Sequence, residues 1–136
     1  MTIVVDASVA LKWVLDNEDG SSRAISLIET ESLIAPDLWL IECANVLVMK
    51  ARRGLITAEG ARAALASIEA TPVRIVPTRA HIAAAQAIAF ELNKSAYDSL
   101  YLAIAVSERA TMVTADAAFF RAASATAAYA PHIRML

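Results

Sequence analysis

Apolar residues along this chain fall into two kinds of run that alternate. Thr2–Val5, residues 32–35, Val73–Val76 and Thr111–Thr114 are short, continuous and largely β-branched, the pattern of strands buried on both faces of a parallel sheet. Longer segments with helical spacing lie between them. Val9, Leu11, Trp13 and Val14 mark a first helix with Ser8 as its cap, and residues 23–29 mark a short amphipathic one. Asp37 stands as N-cap to the segment LWLIECANVLVMK, and Gly54 as the residue that ends that helix. Thr57 caps a helix to about residue 69, with Ala61, Ala64, Leu65 and Ile68 on its apolar side. An alanine-rich helix runs over residues 78–92 and stops at Asn93. Residues 96–106 are apolar almost all round, broken only by Asp98 and Ser99, so this helix is expected inside the protein. Asp116 opens a last helix, and residues 133–136 read as a last strand. Residues 16–22 are polar and read as a solvated loop, with Pro36 stopping the second strand. Strands alternating with helices predict an α/β fold with a mostly parallel sheet.

Four acids break this apolar patterning. Asp6 and Asp116 close buried strands, Glu42 lies about a turn into the second apolar helix, and Asp98 lies in the first turn of the third. Each alone reads as a cap or a local hydrogen-bond partner. In a parallel sheet, however, all strand C-termini share one edge, where open α/β sheets bind ligands. Four buried, unpartnered carboxylates at one edge would be strongly destabilising without a cation. An all-oxygen set suits Mg²⁺ or Mn²⁺. Such an ion lowers the pKa of water and polarises phosphoryl oxygens, the chemistry of phosphodiester hydrolysis. Glu42 and Asn45 stand three apart and so share a helix face.

Composition narrows the class. With 136 residues the chain is expected to be one domain, 1–136. Its 58% hydrophobic content and mean hydropathy of +0.52 exceed what a core of this size absorbs, which points to a protein–protein interface. The longest stretch without Asp, Glu, Lys or Arg is 12 residues, 122–133, short of the roughly 20 that a bilayer requires. The opening residues enter a strand at once and do not look like a signal peptide. One cysteine, Cys43, allows no internal disulfide and fits a reducing cytoplasm. One cysteine and two histidines are too few for a zinc site. Net charge is −2, but with the four acids set aside ten remain against twelve basic residues. A case for nucleic acid therefore rests on the site and not on bulk charge. Lys50, Arg52 and Arg53 gather at a helix C-terminus, where the dipole favours cations.

The segments IVVDASV, IECANVL, AYDSLYLAIA and TADAAFF, in this order and spacing, resemble the PIN domain family, and within it the toxin ribonucleases of VapBC toxin–antitoxin systems. The resemblance spans the whole chain. It implies a three-layer α/β/α sandwich around four to five strands. It maps the family's acids onto Asp6, Glu42, Asp98 and Asp116 as catalytic and metal-binding residues, and its supporting polar residues onto Ser8, Asn45 and Thr114. It further implies a cytoplasmic, Mg²⁺- or Mn²⁺-dependent endoribonuclease that forms a homodimer, acts on RNA and is neutralised by a cognate antitoxin. Two other readings compete. A response-regulator receiver domain has a similar sheet and acidic pocket, but needs adjacent acids after its first strand, where this chain has Val5 and Asp6. A non-toxin or non-catalytic PIN-like RNA-binding module would share the fold without the chemistry.

Overall fold

The computed structural model describes residues 1–15 and 19–136. Strands β1 (Thr2–Val5), β2 (Ser32–Pro36), β3 (Val73–Val76), β4 (Thr111–Thr114) and β5 (Ile133–Met135) form a single sheet in the order β3-β2-β1-β4-β5. Every neighbouring pair is parallel. Central β1 pairs with β2 through Val4 and Ile34 and with β4 through Val5 and Val113. Ile3, Val4, Val5, Ile34 and Val113 are wholly buried, which explains why these strands are continuous apolar runs and do not alternate.

Seven α-helices among the described residues flank the sheet in a three-layer arrangement: α1 (Ala7–Val14), α2 (Ser21–Thr30), α3 (Leu38–Arg52), α4 (Ala58–Ala70), α5 (Ile82–Leu92), α6 (Ala96–Ser107) and α7 (Ala117–Ser124). Helices α1 to α4 pack on one another, while α5 packs on α6. Helix α6 is buried continuously from Ser99 to Ala105, as its all-round apolar sequence demands. Trp13 and Trp39 meet edge to face at 6.1 Å between ring centroids, joining α1 to α3 inside the molecule. Cys43 is wholly buried core. Among the described residues no helix is long and apolar enough to cross a membrane.

Several local expectations change in the folded chain. Ser8 is not the cap of α1: the Asp6 side chain accepts from Val9 N. Asp37 precedes α3 with helical dihedral angles and makes no cap bond; its carboxylate accepts from the Thr78 hydroxyl. Pro36 does not stop β2 but is its last residue, paired with Val76. Ser21 and Ser22, expected in a loop, open α2; the Asp16, Asn17 and Glu18 part of that loop lies outside the described residues. The segment from Thr78 begins as a 3-10 turn at Arg79–His81 before α5 proper. Other terminators stand as expected. Thr57 caps α4, Asn93 closes α5 in the left-handed region, and Gly54 (φ +75°) closes α3. There Gly54 N donates to Ala51 O and Leu55 N to Lys50 O, the paired bonds of a Schellman motif.

Candidate active site

The strand order reverses between β1 and β4, each of which begins a separate outward run of strands. Their C-terminal ends flank the switch point where open α/β sheets place ligands. Asp6 follows β1 there and Asp116 follows β4. Asp6 is half-buried and fully engaged. Its Oδ1 accepts from Ser8 Oγ at 2.5 Å and from Val9 N at 3.1 Å, and its Oδ2 accepts from Thr114 Oγ1 at 2.5 Å. Both hydroxyls also accept from the backbone after β4, Ser8 Oγ from Ala115 N and Thr114 Oγ1 from Asp116 N. One carboxylate thus ties the ends of β1 and β4 together through two bridging hydroxyls.

Glu42 approaches from α3. It is half-buried, and its Oε2 accepts from Tyr101 Oη at 2.7 Å. Asp98 approaches from the first turn of α6, where Ser95 and not Asp98 is the cap. Burial pushes the Asp6 carboxyl above its usual range; the bonds from Ser8, Thr114 and Val9 oppose this, and the charge of Asp98 adds to it. The Glu42 carboxyl is raised first by burial, against the Tyr101 bond, and then by the charges of Asp98 and Asp6. The same surroundings lift the Cys43 thiol to about 12, chiefly by burial, which makes it an inert filler. Burial and Glu42 raise the Tyr101 phenol, so it remains a donor at neutral pH.

The structure therefore places Asp6, Glu42 and Asp98 near enough for their charges to act on one another, and holds Asp116 at the same edge by its backbone N–H, which donates to Thr114 Oγ1. The expectation of four buried, unpartnered carboxylates does not hold. Asp98 and Asp116 are exposed, because each sits at the open end of a helix whose buried portion begins beyond it. Asp116 also caps α7, accepting from Phe119 N at 3.0 Å. Ser8 and Thr114 touch Asp6 directly. Asn45 does not bond to Glu42: it is exposed, and its amide donates to Met49 Sδ one turn on. Lys50, Arg52 and Arg53 lie at the far end of α3, roughly 15 Å along the helix from Glu42 at 1.5 Å per residue, so they complement the helix dipole away from the acids. Tyr101 went unnoticed in the sequence. Its signal was a phenol three residues after Asp98 in an otherwise aliphatic buried run, since a buried phenol needs an acceptor.

Among the described residues, no three acidic, histidine or cysteine side chains stand close enough to ligate one ion as they are. The four acids therefore do not form a ready-made ligand cage; a hydrated Mg²⁺ keeps several waters and takes only one or two carboxylates directly. The donors are all oxygen, and their mutual repulsion is what a divalent charge relieves.

A family model described as PIN domain matches residues 3–125. Ribonuclease VapC9 of Mycobacterium tuberculosis is 37% identical over 116 residues, which is 84% of this chain and 85% of that protein. Among solved structures, PAE2754 from Pyrobaculum aerophilum has a TM-score of 0.72 at 21% identity, covering 90% of this chain and 79% of the other. VapBC2 from Rickettsia felis, bound to a DNA fragment from its promoter, has a TM-score of 0.69 at 13% identity and covers 100% of this chain and 99% of the matched one. At these identities the two structures speak for the fold.

The raised carboxyls set the pH dependence of the ion-free protein. A carboxyl whose folded pKa lies above its unfolded value favours the neutral form in the fold. Its stabilising contribution is complete below the unfolded pKa and is lost as pH rises through the folded one. Glu42→Gln keeps an acceptor for Tyr101 but cannot ionise. In chelator, its melting temperature relative to wild type should rise between pH 4 and pH 7, and Asp6→Asn should follow the same trend. Thermal melts across that range check it; a flat or falling difference would show that the native site does not penalise these charges.

Proposed function

The chain belongs to the PIN domain family, and from that membership we propose that it is a metal-dependent endoribonuclease, the toxin of a VapBC-type toxin–antitoxin system. The observation that supports the reading is that Asp6, Glu42 and Asp98, from β1, α3 and α6, lie near enough for their charges to act on one another, with Asp116 following β4 at the same edge and its backbone N–H donating to Thr114 Oγ1. Relatives named as ribonucleases at 37% identity give the substrate class. Asp6, Glu42, Asp98 and Asp116 would hold Mg²⁺ or Mn²⁺, and the bound ion would supply an acidified water and charge neutralisation at the phosphate. The chain's own contribution is positional. Ser8 and Thr114 fix both oxygens of Asp6, and Tyr101 fixes Glu42. Asp98 and Asp116 stay open to solvent and hence to a substrate phosphate. Asn45, exposed on α3 one turn beyond Glu42 and bonded to Met49 Sδ, would have to turn its amide from that partner to serve as a supporting donor. The protein works in the cytoplasm as a single domain.

Two surfaces support the partners. Helix α5 is apolar nearly all round, Gln86 and Glu91 excepted, yet mostly exposed, with Ala83, Ala87 and Phe90 on its outward face and Phe90 81% exposed. A helix of that composition is normally covered, and a second copy of the chain is the natural cover. Trp13 and Trp39 pair inside the molecule and play no part in that surface. Between α3 and α4 runs an apolar groove of about 300 Å³, floored by Leu47 and Leu65 and edged by Val48, Arg52 and Arg62. It fits an apolar helix of the antitoxin, which would send a basic side chain toward the acids.

The ribonuclease reading is tested by adding Mn²⁺ or EDTA to purified protein with total RNA. Cleavage should need the metal, and Asp98→Asn should lower Mn²⁺ affinity at least 10-fold, since even groups that only support a ligand cost 10–100-fold. Because Asn is close in shape to Asp and carries no charge, the ion-free variant should melt no lower than wild type. Wild-type metal affinity and cleavage in Asp98→Asn would remove this residue from the site; EDTA-resistant wild-type protein that binds RNA without cutting it would favour the non-catalytic module.

Light scattering should report a dimer at micromolar concentration and a 14.5 kDa monomer for Phe90→Glu; a monomeric wild type refutes the dimer. Val48→Glu should abolish binding of the small protein encoded beside this chain without changing cleavage. Where that neighbour is absent or fails to bind wild type, the protein is a stand-alone PIN nuclease.

A further inference from the structure

A second cleft opens near the acids and takes no part in holding the metal. It holds about 230 Å³ and is framed by Leu38 of α3, Thr78 after β3, Ile82 of α5, and Tyr97 and Leu100 of α6. Its lining connects to the catalytic edge at two points. Tyr97 directly precedes Asp98 in the first turn of α6. Leu38 lies four residues before Glu42 in α3, so the two side chains sit one above the other on one helix face. The bond from the Thr78 hydroxyl to Asp37 pins the end of β3 to the start of α3 and fixes the rim between them. Leu100 is buried and forms the floor. Tyr97 and Ile82 are 65% and 56% exposed, so the upper walls stand open to solvent.

These features match one part of a single-stranded RNA. Such RNA is recognised with its bases unstacked, lying on aromatic side chains, while its phosphates track a separate set of contacts. Asp98 and Glu42 mark where the scissile phosphate lies on the ribonuclease reading, on which this inference rests. A base attached to a flanking nucleotide then reaches the neighbouring surface. We propose that Tyr97, with Leu38 and Ile82, forms a subsite that takes one nucleobase next to the cleaved bond. Tyr97 supplies the ring on which the base stacks, and the aliphatic walls cover its other face and edge. The lining offers Thr78 as its only hydroxyl besides the phenol, so selection here works through stacking and shape, which every base satisfies in some degree. A free phosphate is excluded by chemistry, because no basic side chain lines the cleft. The dimer surface is distinct. Phe90 stands eight residues beyond Ile82, about a quarter-turn round α5 and roughly 12 Å along it, so the two side chains lie toward opposite ends of that helix.

The test uses a single-stranded oligoribonucleotide that wild-type protein cleaves in Mn²⁺, and the same strand with an abasic nucleotide on either side of the cleaved bond. Tyr97→Ala should raise KM for the intact strand roughly 5- to 150-fold, the span of base–aromatic stacking measured by alanine substitution, with a smaller change in kcat. Tyr97→Phe keeps the ring and should stay near wild type. Calorimetric Mn²⁺ affinity should be the same in all three proteins. One abasic position should cost wild type a similar factor and cost Tyr97→Ala nothing further. An unchanged KM in Tyr97→Ala, or an abasic penalty that persists in it undiminished, overturns the subsite. So does a loss of Mn²⁺ affinity, which would make Tyr97 a support for Asp98, or a collapse from dimer to monomer, which would give the cleft to a second copy. Wild-type protein that cleaves no RNA is a separate result: it defeats the ribonuclease reading itself, and the subsite falls with it.

Discussion

A carboxylate at the centre of a parallel sheet's edge must be given donors, and Asp6 receives three: Ser8 Oγ, Thr114 Oγ1 and Val9 N. Both hydroxyls are bifunctional. Each gives its proton to Asp6 and accepts a backbone N–H from the turn after β4. The knot closes the gap between two strands that adjoin in the sheet but are separated by most of the chain. It also sets where α1 begins, because Asp6 caps it. Charge-assisted bonds of this kind are about twice as strong as neutral ones, and their number is what allows a half-buried carboxylate to persist. They do not cancel its desolvation, so the site retains an electrostatic demand that a cation can meet.

The other carboxylates are held more loosely in proportion to their exposure. Glu42 has one side-chain donor, the buried phenol of Tyr101. Asp116 accepts a backbone N–H as a cap, and Asp98 lies exposed on the first turn of α6. The gradient from a fixed Asp6 to open Asp98 and Asp116 fits a site that must be preorganised on the protein side and accessible on the substrate side.

Helices α5 and α6 show how similar composition is used in two ways. Both are apolar nearly all round. Helix α6 lies against β1, β2 and β4 and is buried, whereas α5 lies against α6 and leaves most of its surface outside. The apolar surplus of the chain is therefore not all in the core. Part of it is on the outward face of α5, in the groove between α3 and α4, and around Tyr97.

The one-dimensional pattern was enough to place the strands, most of the helices and the parallel pairing, and to single out four acids. The reason is that fully buried strands and helices must be continuously apolar, and any acid within such a run stands out. Caps at Thr57, Asn93 and Gly54 were legible because they depend on residues a few positions apart. What the sequence could not decide was every property set by distant neighbours. Exposure of Asp98 and Asp116, the capture of Asp37 by Thr78, the bond from Tyr101 to Glu42 and the separation of Asn45 from Glu42 all depend on which elements end side by side. The sequence shows that α5 and α6 are apolar; only the order of packing onto a sheet of limited width decides that one is buried and the other left facing out.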